Sequence, residues 1–132
     1  MWDDVGSGEL EVLSPPQCLE LLGSVTVGRL GFTQGALPVI WPTDFLLHGE
    51  QVVIGTGRGG EWTAATAGSL SVVAFQADRL DERGRALWSV LVVGQARLML
   101  ACPALSGWAD AKGRCIVIDI VKIQGRRFAH CH

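Results

Sequence analysis

The run Thr56-Gly57-Arg58-Gly59-Gly60 is the part of this 132-residue chain best equipped for chemistry. Glycines let backbone N–H groups converge on one point, Thr56 adds a hydroxyl, and Arg58 adds a planar fork of donors. These parts make an anion cradle. Its predicted place, between a strand and a short helix, adds the partial positive charge of a helix start. The spacing is neither Gly-x-x-x-x-Gly-Lys-Ser/Thr nor Gly-x-Gly-x-x-Gly in a βαβ unit, so the two best-defined phosphate loops are excluded. A glycine-rich surface loop with no ligand has the same composition and is commoner.

Other residues are weighed in the same way. Trp41, Trp62 and Trp88 suit the walls of a pocket for a flat ligand, and equally suit a core or a subunit interface. Arg126-Arg127 suits a cofactor phosphate or carboxylate, and equally suits solvated charges or interface ion pairs. Asp44, the one acid in an otherwise apolar run, is either a proton donor or a hydrogen-bonded strand residue, and the second is favoured. His48 is a turn residue. The four cysteines, Cys18, Cys102, Cys115 and Cys131, contain no Cys-x-x-Cys pair and read as reduced, mostly buried thiols. His130-Cys131-His132 is treated as a tail, and no metal site is assigned.

The elements that must position these groups are mostly strands. Ser14-Pro15-Pro16-Gln17 starts one short helix that Gly23 stops. Val25 to Phe32, Leu37 to Leu47 and Gln51 to Thr56 are expected as three strands of an antiparallel meander, with turns at Gln34-Gly35 and His48-Gly49-Glu50. Glu61 to Ala67 is a second short helix. Leu70 to Ala77 and Leu87 to Leu100 follow, joined by a charged loop from Asp78 to Arg85. Ala101 to Lys112 is irregular, with a helical turn near Trp108. Cys115 to Ile123 closes the set and, apolar at both parities, is expected to be covered on both faces. Six strands of this size suggest a small closed barrel, because closure removes exposed edges.

Composition bounds the class. Hydrophobic residues make up 48% and charged residues 18%, and the mean hydropathy is +0.31. Little polar surface remains for a globule of this size, so apolar surface is expected to meet a second subunit. The net charge of −2 argues against nucleic-acid or anionic-membrane binding. No apolar run approaches a spanning length, and the acidic start Met1-Trp2-Asp3-Asp4 is unlike a basic signal peptide. Cytoplasmic is the default expectation.

Ordered short runs then add a resemblance. Leu13 to Leu22, Val27 to Phe32, Pro38-Val39-Ile40-Trp41-Pro42 and the Thr56 loop are similar to the pyridoxamine 5'-phosphate oxidase-like, FMN-binding split-barrel proteins. So are Val73 to Asp78, Trp88 to Ala96 and Gly125-Arg126-Arg127. The set spans residues 13–128 and looks most like the actinobacterial flavin- and deazaflavin-dependent branch. The resemblance implies an all-β, six-stranded antiparallel split β-barrel over 13–128 and a homodimer with cofactor grooves between subunits; residues 1–12, which lack a period and contain Gly6 and Gly8, read as a flexible N-terminal arm, and 129–132 as a tail. It implies FMN or the deazaflavin F420 as cofactor and hydride transfer with a small conjugated substrate. The alternative is a non-catalytic member that holds a flavin, haem or other flat ligand, or none. By position, the cofactor-binding set is Pro42, Thr43, Asp44, Thr56, Arg58, Gly59, Gly60, Glu61, Trp62, Trp88, Ser89 and Arg127, with no dedicated catalytic residue. Relatives carry lysine where this chain has Glu61.

Overall fold

The computed structural model describes residues 10–55, 71–99, 102 and 115–129. The expected helix at 61–67, the turn near Trp108, the Thr56 loop and the end at 130–132 lie outside the described residues. The first helix forms as its caps dictate. In α1 (Pro15–Leu22) the Gln17 N–H donates to the Ser14 hydroxyl, and the Ser14 N–H donates back to Gln17 Oε1 at 2.8 Å. Both prolines sit in the first turn, and Cys18 and Leu22 turn into the core.

Period-two patterning in β2, β3 and β6, and short apolar runs in β5 and β8, make the rest strands. The elements are β1 (Leu10–Val12), β2 (Val27–Gln34), β3 (Leu37–Asp44), β4 (Leu46–His48), β5 (Gln51–Gly55), β6 (Ser71–Leu80), β7 (Ala86–Met99) and β8 (Cys115–Phe128). They form one antiparallel sheet in the order β3-β2-β6-β7-β8-β5-β4, with β1 added to β8. The edge strands β3 and β4 are consecutive in sequence and separated only by Phe45, so the sheet must curl until its two edges approach. That is the split-barrel architecture. Counting β3 and β4 as two halves of one bent strand, and setting the short β1 aside, recovers the six expected strands.

Three expectations need correction. The expected second strand is broken at Phe45: its end, β4, pairs antiparallel with β5 as the meander predicts, but β5 also pairs with β8, and among the described residues β3 pairs with β2 alone. The bend at Phe45, whose N–H donates to the Thr26 carbonyl, carries the chain from one edge of the sheet to the other. The charged loop is shorter than expected, because Asp78, Arg79 and Leu80 belong to β6. The turn itself is organised by the Asp81 carboxylate, which accepts from the Arg83 and Arg85 N–H groups and the Arg85 guanidinium. Finally, residues 10–12 of the supposed arm form β1, with Leu10 opposite Phe128.

Leu30, Phe32, Phe75, Val90, Val92, Ile54, Ile116 and Ile118 fill the barrel, with Phe45 and α1 closing it. A smaller cluster lies on the outer side of β5 and β8: Val53, Cys115 and Val117, flanked by Leu46, Met99 and Cys102. Residues 115–118 are therefore buried at both parities, as expected, but the cover does not extend to Ile123, since Val121 is 70% exposed. Beside that cluster the Arg97 guanidinium grips Asp119 with two N–H donors (2.8 and 3.3 Å), and Gln51 Nε2 donates to the same carboxylate at 2.8 Å. The Arg97 hydrogen bond chiefly, with help from Gln51, holds the Asp119 carboxyl below its ordinary range against partial desolvation.

A depressed folded value means the stabilisation is present above the unfolded value of about 4 and fades as pH falls through the folded value. Because both partners are over one-third exposed, Asp119→Asn is expected to cost under about 1 kcal/mol at pH 7. The difference should narrow near pH 2, below the unfolded value. Urea unfolding of both proteins at the two pH values checks this, and an equal penalty at both would refute the ion-pair account. Among the described residues, no helix is long and apolar enough to cross a membrane.

Candidate functional site

Cβ alternation gives each strand one face toward the barrel core and one face outward. The outward face of β3, β2, β6, β7 and β8 is assembled by register into rows across the sheet. One row runs Pro42, Arg29, Gln76, Leu91, Gln124; the next runs Asp78, Ser89, Arg126, with Val27 and Asp44 at its β2–β3 end. The row on the other side runs Ile40, Gly31, Ala74, Val93, Lys122, and beyond it lies Val72. One end of the face is polar and the adjoining part largely apolar.

The polar end is bonded from strand to strand. Arg29 Nη1 donates to Gln76 Oε1 at 3.1 Å, and Gln76 Nε2 donates to Asp78 Oδ2 and Ser89 Oγ, each at 3.0 Å. Arg29 Nη1 also lies 3.6 Å from Asp78 Oδ1. Ser89 is only 7% exposed although it points outward. The glutamine amide thus uses both ends to lock three strands, which fixes the rotamers of Arg29 and Asp78 before any ligand arrives. In the apolar part, Ile40 is 72% and Val72 is 70% exposed.

Three of the sequence-named residues share the outward face: Pro42, Asp44 and Ser89. Three do not. Thr43 has the inward parity of Gly28, its register partner, and its hydroxyl donates to the Asp44 carbonyl. Trp88, 5% exposed, lies in the main core, so its ring is packing rather than a pocket wall. Arg127 faces away from Ser89 and pairs with Glu11 at 3.3 Å, beside a depression lined also by Leu10, Phe128 and Ala129. Its neighbour Arg126 is the arginine opposite Ser89. Thr56, Arg58, Gly59, Gly60, Glu61 and Trp62 lie outside the described residues; β5 ends at Gly55, one residue before them.

Arg29, Gln76 and Asp78 were missed as site residues. Their signal was present, since Gln76 and Asp78 alternate with the apolar Phe75 and Ala77, but nothing local joins Arg29 to a residue 47 positions away. Cys18 offers no nucleophile. Burial pushes its thiol up, opposed by the nearby Arg126 charge, so it stays protonated.

The family model described as pyridoxamine 5'-phosphate oxidase matches residues 14–102. The chain belongs to the pyridoxamine 5'-phosphate oxidase-like family. The match covers β2 to β7, which carry most of the outward face. Among solved structures, the FAD-binding protein of Mycobacterium smegmatis superposes with a TM-score of 0.71 at 29% identity, over 92% of this chain and 100% of that one. A pyridoxamine 5'-phosphate oxidase-type protein of Corynebacterium glutamicum superposes with a TM-score of 0.75 at 23% identity, over 97% and 99%, which speaks for the fold alone. The uncharacterized protein Rv0080 of Mycobacterium tuberculosis is 38% identical over 91 residues, 67% of this chain; the chain spans 60% of that protein's length.

Proposed function

We propose that this family member binds a flavin as a homodimer and uses it in redox chemistry on a small conjugated substrate. The observation that carries the proposal is the outward sheet face, where a bonded polar end adjoins exposed apolar surface. A flavin has matching parts: a flat ring and an anionic tail. When bound, its ring supplies hydride transfer. The chain's own residues supply position. Pro42 offers a rigid apolar surface beside the ring, Asp44 a carboxylate at its edge, and Ser89 a hydroxyl oriented by Gln76. The loop from Thr56 to Trp62, with Arg58 and the glycines, is the proposed seat of the phosphate, with Glu61 setting the charge beside it. FAD binding by the similar Mycobacterium smegmatis protein supports a flavin over other flat ligands.

The dimer follows from the other half of the same face. Ile40, Val72 and their neighbours Ala74 and Val93 present apolar surface that a second copy would remove from water. The pairing leaves the polar end at the rim of the contact, where a groove between subunits would lie.

Purified protein titrated with FMN, FAD and F420, followed by visible absorbance and fluorescence, tests the cofactor. Saturable FMN binding is expected, with Arg58→Ala weakening it at least tenfold while the far-ultraviolet circular dichroism is kept. Uptake of none of the three would end the flavin proposal, and F420 alone would change the cofactor. Sedimentation equilibrium tests the dimer; a monomer at all concentrations would remove that part.

A further inference from the structure

Arg29 is held by its neighbours without being used up by them. Nη1 takes the bond to Gln76 and the Asp78 contact, while the side chain is 51% exposed. The other N–H groups of the planar guanidinium form the edge that recognises phosphate or carboxylate through two parallel bonds. Its holder does not swing, because Gln76 is itself tied to Asp78 and Ser89. Pro42 stands directly across from Arg29 on β3, so an apolar surface adjoins the cation.

The surrounding charge has the matching sign. Among the described residues of this face, Arg29, Lys122 and Arg126 stand against Asp44 and Asp78, an excess of one positive charge on a chain whose net charge is −2. Asp78 cancels part of Arg29's charge, so a bare anion is held weakly and the fit of an apolar body beside it matters.

Resting on the reading of this face as the cofactor site, we infer that Arg29 recognises the oxyanion of a flat ligand whose apolar body lies over Pro42. The oxyanion is a phosphate or a carboxylate. It belongs either to the cofactor or to the substrate. Gln76 and Asp78 act as positioning residues, holding the guanidinium edge outward.

Isothermal titration of the full chain with phenyl phosphate, benzoate and phenol tests the inference on wild type, Arg29→Gln and Arg29→Lys. Wild type is expected to bind phenyl phosphate at least tenfold more tightly than Arg29→Gln, with Arg29→Lys between them because it keeps the charge but loses the fork. Phenol binding should not respond to either change. Equal affinity of wild type and Arg29→Gln for phenyl phosphate, or no binding to wild type, overturns it. Thermal unfolding verifies that each variant is folded, and Arg29→Lys carries the test if the glutamine variant is not.

A second arm separates the sources. If the oxyanion is the flavin's, Arg29→Gln narrows the preference for FMN over riboflavin. If it is the substrate's, that preference is unchanged, and benzoate shifts the visible spectrum of FMN-loaded wild type but not of FMN-loaded Arg29→Gln. A chain that takes up no flavin yet binds phenyl phosphate through Arg29 removes the flavin proposal and leaves this inference standing. The converse removes only Arg29.

Discussion

Phe75→Ala is expected to destabilise the fold by about 3–5 kcal/mol, the range for emptying a buried phenyl site. Phe75 is fully buried on β6, and its ring meets Phe45 edge to face, with centroids 4.8 Å apart and planes at 67°. The truncation therefore removes transfer energy, leaves a cavity and deletes an aromatic pair worth about 0.5–1.5 kcal/mol. It also loosens Phe45, the hinge between β3 and β4, so barrel closure weakens with the core. A penalty below about 1.5 kcal/mol in urea unfolding would mean that the core collapses into the gap and that the hinge is held by other contacts.

The same ring explains a glycine. A Cβ on Gly28 would collide with Phe75 Cζ and lie 2.7 Å from Cε2 and 2.9 Å from the Gln76 carbonyl oxygen. Gly28→Ala should therefore destabilise wild type more than it destabilises a Phe75→Leu background. Rescue is only partial, because the backbone carbonyl remains. Additive effects would show that the ring and the glycine do not compete for one space.

Gly94→Ala is the second large effect, expected near 3 kcal/mol at the upper end of ordinary overpacking. Here the added methyl would run into the backbone carbonyl of Asp119 and lie 2.7 Å from Ile118 Cγ2. The position borders the bulge where β7 and β8 slip register, from Val93 opposite Lys122 to Gly94 opposite Ile120. A side chain can rotate away from a methyl, but a laddered carbonyl cannot. No single substitution at Ile118 should restore Gly94→Ala, whereas changing the Phe75 side chain helps Gly28→Ala. Full recovery by Ile118→Ala would refute that distinction.

What was legible in the sequence was local. The Ser14 cap, the tandem prolines and Gly23 delimit α1, and period-two runs around Leu30, Phe75 and Val90 delimit their strands, because capping and pleating act over a few residues. The strand from Leu37 onward was legible too, but its break at Phe45 was not. Phe45 is an apolar residue in an apolar run, and only the curl of the whole sheet forces the chain to change partners there. The same limit applied to single parities: Trp88 and Ser89, or Arg126 and Arg127, are adjacent in sequence yet face opposite sides of the sheet.

By itself, then, the order of residues determined the element types, their approximate bounds, the apolar surplus and the family motifs. Each of these depends on neighbours within a turn or a strand, or on composition. Tertiary structure alone decided that β5 takes β8 as its second partner beside β4, that β1 joins the sheet, and that Arg29, Gln76, Asp78 and Ser89 meet on one outward face. Those contacts join residues up to dozens of positions apart, and their free energy exists only once the sheet has curled and its register is set.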